Sequence, residues 1–101
     1  MSRELTHPDA KDLELTNVLH ALSDPVRLEI VRTIADREEC HCGDIDIPVT
    51  KSTGTHHFRI LRESGVIEQT REGTARINKL RRSDLESRFP GLLDSVLQSA
   101  A

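Results

Sequence analysis

Apolar residues recur along the chain with two different periods, and the switch between them marks how the molecule is organised. Leu15, Val18, Leu19 and Leu22 follow the i, i+3, i+4, i+7 spacing of one helix face, which predicts a first helix over residues 13–22. Ser23-Asp24-Pro25 stops it and starts another. Asp24 can accept from exposed N–H groups, and Pro25 suits the first helical position, where its missing N–H has no helical partner. Leu28, Val31, Ile34 and Ala35 give this second helix an apolar stripe that ends near Arg37. Residues 44–47 alternate briefly before Pro48 and read either as one helical turn or as a short strand. Thr50 then caps a helix over residues 51–64, closed by Gly65, the residue best able to turn left-handed after a helix. Phe58 and Leu61 face inward with Ile60 beside them, while Lys51, Ser52, Thr55, His56, Arg59 and Arg62 fall on the other side.

The period changes at Val66. Residues 66–71 and 74–80 are β-branched, partly alternating runs joined through Glu72-Gly73, a hairpin signal. Ser83-Asp84-Leu85-Glu86 matches a capping box, in which hydroxyl and carboxylate satisfy free N–H groups at a helix start. A helical turn follows, and Pro90 opens a last helix carrying Leu92, Leu93, Val96 and Leu97. Residues 1–12 lack periodicity and read as an irregular arm around His7-Pro8-Asp9, leaving 13–101 as one domain. The predicted fold is mainly α with a two-stranded β wing. It is a winged helix-turn-helix whose 51–64 helix holds the second, groove-reading place.

Composition bears on how such a fold is held together. With 101 residues, two Phe and neither Tyr nor Trp, the core must be aliphatic. A chain of this size buries only about 60–70% of its unfolded surface, so a dimer interface would add to it. No run of about 18 apolar residues exists to span a membrane. The first twelve residues are polar and carry acids, unlike a secretory signal or a basic transit peptide. Two cysteines in a Cys-His-Cys triplet do not make a disulfide framework. A soluble, cytoplasmic protein is expected.

The net charge of −3 is unevenly placed. Residues 1–50 carry five Lys/Arg against eleven Asp/Glu, residues 51–82 eight against three, and residues 83–101 one against three. A basic block between acidic flanks has the layout of a polyanion-binding face, here double-stranded DNA. The 51–64 helix opens Lys51-Ser52-Thr53-Gly54-Thr55-His56-His57-Phe58-Arg59. Hydroxyls there can bond phosphates or base edges, and Arg59 can pair with the O6/N7 edge of guanine. Gly54 costs about 1 kcal/mol relative to Ala in a helix. On an outward face it would let a sugar–phosphate backbone approach closely. Arg71 and Arg76 lie near the hairpin tip, placed to straddle a backbone or touch the minor groove. The candidate DNA-binding set is therefore Lys51, Ser52, Thr53, Thr55, His56, Arg59, Arg71 and Arg76.

Four stretches carry a family resemblance: residues 21–28 (Ala-Leu-Ser-Asp-Pro-Val-Arg-Leu), Cys40-His41-Cys42-Gly43-Asp44, residues 52–58 (Ser-Thr-Gly-Thr-His-His-Phe) and residues 61–67 (Leu-Arg-Glu-Ser-Gly-Val-Ile). Together they resemble the ArsR/SmtB family of bacterial winged-helix repressors over residues 15–80. The resemblance implies a homodimer joined through its terminal helices, major-groove contacts from the 51–64 helix, wing contacts with flanking backbone, and release of DNA when an effector binds. Two departures stand out. The element between Cys42 and Pro48 is shorter than the family's usual first helix of the motif, and the wing has Thr74-Ala75-Arg76 where an aromatic-rich strand is common.

Within that resemblance, Cys40 and Cys42 fall where soft-metal sensors carry a Cys-x-Cys. Two thiolates can hold zinc or a heavier thiophilic ion, but tetrahedral zinc takes four ligands. The third cysteine of an arsenic-type site is Ile45 here, and the arm that supplies a cadmium/lead-type site has no cysteine. His7, His20 and His41 are the available nitrogen donors. A zinc/cobalt-type site on the last helix is excluded, since Asp84, Glu86 and Asp94 have no histidine beside them. Three readings stay open: a metal site of Cys40, Cys42 and a histidine; thiol chemistry with an oxidant or electrophile; and Cys42 as a packing residue, with any effector elsewhere. No metal or cofactor is assigned.

Adjacent residues on a helix point about 100° apart, so His56 and His57 do not readily chelate one ion. His56 is expected to face DNA and His57 to pack inward with its ring hydrogen-bonded. No nucleophile elbow, phosphate-cradling glycine loop or zinc-protease helix is present, and the chain is not expected to be an enzyme. The expected function is a dimeric, sequence-specific transcriptional repressor released from its operator by an effector. The alternative is a winged-helix module that docks an acidic protein through residues 51–82 without specific DNA binding.

Overall fold

The computed structural model describes residues 5–100. Helix α1 (Leu15–Leu22) begins two residues later than its pattern, because Leu13 leaves a 3₁₀ turn (Ala10–Asp12) in extended backbone and enters the core. Val18, Ala21 and Leu22 form its buried face, while Leu15 and Leu19 remain 46% and 44% exposed. The predicted stripe is thus split between the domain core and solvent. Helix α2 (Pro25–Arg37) starts as its cap dictates: the Asp24 carboxylate accepts from Val26 N at 2.8 Å and Arg27 N at 3.1 Å. Those bonds, the one from Arg27 foremost, hold the Asp24 carboxyl below its ordinary range against a smaller burial effect.

Glu38 ends α2 at φ 67°, and strand β1 (Glu39–His41) follows. This strand corrects the two-stranded wing. The sheet has three antiparallel strands in the order β1-β3-β2, with β2 spanning Ile67–Glu72 and β3 spanning Ala75–Leu80. Three residues are too few to show an alternating pattern, and only pairing with β3 makes Glu39–His41 a strand. The helical turn read at 44–47 lies upstream, as a 3₁₀ turn over Cys42–Asp44. Beyond it the chain is irregular, with Ile45 in the core.

Helix α3 (Lys51–Glu63) is capped by Thr50, whose hydroxyl accepts from Thr53 N at 3.2 Å. Its other end is a Schellman closure, with Gly65 N bonded to Arg62 O and Val66 N to Leu61 O at 3.1 and 3.0 Å. The hairpin turns through Gly73-Thr74 between the paired residues Glu72 and Ala75, and Gly73 takes φ 64° at the first turn position, as a type II′ turn requires.

The capping box does not form. Helix α4 (Arg82–Arg88) starts one residue ahead of it, so Ser83 lies inside the first turn. Asp84 instead receives Arg81 Nε at 3.0 Å, and Glu86 receives Gly91 N at 3.1 Å. Helix α5 (Leu92–Ala100) begins after Pro90, beyond the left-handed Gly91. The core is aliphatic, built on Leu13, Val18, Ile30, Ile34, Leu61 and Val66, with Phe58 at its edge. Among the described residues no helix is long and apolar enough to cross a membrane.

Candidate nucleic-acid interface

Helical spacing divides α3 cleanly. Gly54, His57, Phe58, Leu61 and Arg62 are buried, whereas Lys51, Ser52, Thr53, Thr55, His56 and Arg59 are all exposed. Ser52, Thr55, His56 and Arg59 follow i, i+3, i+4 and i+7, so they form one ridge along the solvent side. Thr55 donates its hydroxyl hydrogen to Lys51 O at 3.0 Å and keeps its oxygen free to accept. Arg59 reaches Glu63 only loosely, at 3.6 Å with both side chains exposed.

Two side chains lie on the other side of the division from the sequence reading. Gly54 faces inward, not toward a DNA backbone: a Cβ there would stand 3.1 Å from Ile47 Cδ1. The glycine lets the irregular 45–50 segment lie against α3, in place of the longer helix expected before it. Arg62 turns inward as well and donates to Gln69 Oε1 at 2.8 Å. Burial pushes the Arg62 guanidinium below its ordinary pKa, and nearby Arg76 pushes the same way. His57 is buried as expected, its Nδ1 3.2 Å from Arg27 Nη1.

On the hairpin, Arg71 and Arg76 are direct cross-strand partners, the first exposed and the second half-buried. Like charges placed opposite one another destabilise a sheet unless an anion lies between or beside them. Of the cations in 51–82, Lys79 pairs with Glu39, Arg81 with Asp84 and Arg82 with Asp94. Among the described residues Lys51, Arg71 and Arg76 enter no ion pair.

A family profile described as a helix-turn-helix domain matches residues 22–70, from the end of α1 into β2. The chain is 28% identical to the HTH-type transcriptional regulator YceK of Bacillus subtilis (strain 168), over 91% of this chain and 95% of that one. Its fold is similar to the transcriptional repressor BigR from Xylella fastidiosa, with a TM-score of 0.60 and 28% identity over 74% of this chain and 85% of that one. A crystallised ArsR family transcriptional regulator shares the fold at a TM-score of 0.65 and 17% identity, over 89% of this chain and 92% of that one. The chain has a winged helix-turn-helix fold and is similar to HTH-type regulators of transcription, with an ArsR family member among the structures that share its fold. It is not an enzyme: its relatives are regulators of transcription.

The sensor candidates do not come together as a group among the described residues. Cys40 is buried on β1 and Cys42 half-buried on the 3₁₀ turn, and neither is in a disulfide. The arsenic-type third position, Ile45, is core. His7 Nε2 accepts from Gln69 N at 3.0 Å, and His41 Nδ1 stands 3.6 Å from Asp44. His20 lies in α1, where its carbonyl binds Arg27. Among the described residues no three His, Cys, Asp or Glu side chains gather as metal ligands.

The sequence reading missed a polar network beneath the wing. Gln69 and Asn78 are paired across β2 and β3, 1% and 0% exposed, and bonded to each other, to Arg62 and to Cys42. The available signal was phase: Gln69 stands two residues after Ile67, on the inward side of its strand.

Proposed function

We propose that this regulator is a cytoplasmic homodimeric repressor that places α3 in the major groove of an imperfect inverted repeat and flanks it with the wing. The observation that carries this reading is the exposed ridge of hydroxyls, His56 and Arg59 on α3, together with the unpaired cations Lys51, Arg71 and Arg76. Ser52, Thr53, Thr55 and His56 would meet phosphates and base edges, Arg59 a guanine, and the two wing arginines the flanking backbone. No resident metal or cofactor is needed for these contacts.

Dimerisation is supported by the apolar surface that one domain leaves uncovered. Leu15 and Leu19 project from α1, and an open hollow of about 270 Å³ between α2 and α5 is lined by Leu28, Leu92 and Val96. Two half-sites one turn apart are separated by about 34 Å, which one 13-residue helix cannot span.

The test is fluorescence anisotropy of the reduced, metal-free protein on duplex from immediately upstream of its own gene, with scrambled duplex as control. Arg59→Ala is expected to weaken specific binding by about 1–3 kcal/mol and relax selectivity at one position. Arg76→Ala is expected to weaken binding to every sequence and lower the salt slope by about one unit. Unchanged affinity in both variants would place the DNA interface on another surface, whereas a salt-dependent interaction with an acidic protein and none with duplex DNA would favour the docking module. Sedimentation of the wild type should give a dimer, which Leu19→Glu should dissociate.

A further inference from the structure

The hairpin register sorts charge between the two faces of the wing. Ile67 pairs with Leu80, Gln69 with Asn78 and Arg71 with Arg76, so one face carries an apolar, an amide and an arginine rung in turn. The acids lie on the other face, where Glu39 and Glu68 flank Lys79 and Glu72 stands opposite Ala75. Among the described residues no sheet carboxylate therefore serves Arg71 or Arg76, which end the first face near the hairpin tip.

Arg62 brings a third guanidinium to that face from α3. It is 9% exposed and donates through Nη1 to Gln69 Oε1, on the rung next to the arginines. Its Nε is buried without an acceptor, and Nη2 has none among the described residues. Nε and Nη2 together make the side-on fork with which a guanidinium grips two oxygens at once. Arg27 shows that edge in use, with Nε on Ala21 O and Nη2 on His20 O. A buried cation held only by a neutral amide lacks a counter-charge. Glu63, the acid that acts on Arg62, is exposed and turned to Arg59 at 3.6 Å. Burial foremost, and then Arg76, push the Arg62 guanidinium below its ordinary pKa, as befits a desolvated cation beside another.

We propose that Arg62, Arg71 and Arg76 form a binding site for a small phosphate-type dianion on the α3-facing side of the wing. A terminal phosphate group carries about −1.5 to −2 charge at pH 7 and three acceptor oxygens. Arg62 meets it with the fork and the arginine rung takes the remaining oxygen, which satisfies the orphaned donor and screens the two like charges from each other. A phosphodiester within a duplex carries a single charge and two free oxygens, a poorer match for three guanidinium groups. Because Arg71 and Arg76 are also assigned to flanking DNA, the bound dianion competes with the duplex for the wing. Only that consequence rests on the DNA-binding reading.

The experiment follows the Nε–H signal of Arg62 in the full chain by proton–nitrogen correlation NMR, while inorganic phosphate replaces chloride at constant ionic strength. The signal is expected to shift saturably, with half-saturation on the order of 1 mM. Dimethyl phosphate, a monoanionic diester, should bind at least about tenfold more weakly. Arg62→Gln takes the donor from a buried amide and endangers the fold, so the informative variant is the exposed Arg71→Gln, which should weaken phosphate at least about tenfold. Lys79→Gln, on the opposite face, should leave phosphate binding unchanged. A linear drift without saturation, or a response indifferent to Arg71→Gln, overturns the site. Equal binding of dimethyl phosphate overturns the dianion in favour of a backbone phosphodiester. In parallel, about 10 mM phosphate should lower affinity for the upstream duplex about tenfold beyond chloride at the same ionic strength. Saturable phosphate binding with unchanged duplex affinity overturns the competition alone. Absence of selective DNA binding without phosphate overturns the repressor reading and leaves the NMR result standing.

Discussion

A guanidinium that is 7% exposed must find acceptors for its N–H groups, and Arg27 finds them on two other segments of the chain. Its Nε donates to Ala21 O at 2.8 Å and one terminal nitrogen to His20 O at 3.1 Å, closing the end of α1. The other terminal nitrogen reaches His57 Nδ1 at 3.2 Å on α3. Arginine can only donate, so Nδ1 accepts and the His57 ring carries its proton on Nε2. Arg27→Ala leaves three acceptors without their donor at once, two of them buried, and is expected to cost about 3 kcal/mol in urea unfolding. Arg27→Lys, a point charge without the planar fork, should recover less than half of that. A lysine variant as stable as wild type would show that the charge, not the fork, is what matters. The sequence reading foresaw the inward turn of His57. It had no means of finding Arg27, because a cation at an i+3 position on a helix reads as solvated until its acceptors are located in space.

The junctions between elements show how backbone conformation and residue choice agree or conflict. Gly65 closes α3 at φ 87°, and a Cβ there would overlap the Leu13 side chain. Gly65→Ala therefore combines left-handed strain with overpacking and is expected to destabilise by about 3 kcal/mol in thermal unfolding. Glu38 ends α2 at φ 67° and ψ −48° with a residue that pays for its Cβ there. Glu38→Gly relieves that strain and is expected to stabilise by about 1 kcal/mol. A lowered midpoint for Glu38→Gly would show that its side chain contributes more than its backbone costs. The Gly65 stop was legible because glycine after a helical stripe has one common physical use. The turn at Glu38 was not, since nothing in a glutamate announces positive φ, and the strand it launches depends on a partner 38 residues along the chain.

Across the whole molecule, the N-terminal arm is tied to the wing edge and to α4. Gln69 N donates to His7 Nε2, Arg81 to Pro8 O at 2.8 Å and Arg88 to Leu13 O at 2.7 Å. Burial lowers the His7 pKa from 6.5, with Arg62 and Arg81 pushing it down and Glu68 opposing. The folded value lies below the unfolded one, so the contribution of His7 is complete above about pH 6.5 and is lost as pH falls through the lower folded value. Protonation turns Nε2 from acceptor to donor and breaks the bond to Gln69. Hydrogen exchange at Gln69 N, corrected for its intrinsic rate, should accelerate from about pH 7.5 to about 5.5. His7→Ala should exchange fast throughout and lose that dependence. Equal protection at both pH values in wild type would mean that the Pro8 and Leu13 bonds hold the arm unaided.

Local pattern alone determined the helices and the hairpin, their order, and the exposed ridge on α3. Periodicity, capping at Asp24 and Thr50, and the glycine stops act within a few residues and need no knowledge of distant partners. That order sufficed for the winged helix-turn-helix fold and its likeness to ArsR-type regulators. Tertiary structure decided the third strand, the inward turn of Gly54 and Arg62, the docking of the arm, and the gathering of Gln69, Asn78 and Cys42. The physical reason is common to all of them. A polar side chain, a glycine or a three-residue segment takes its role from whatever approaches it, and the approaching group comes from another part of the chain.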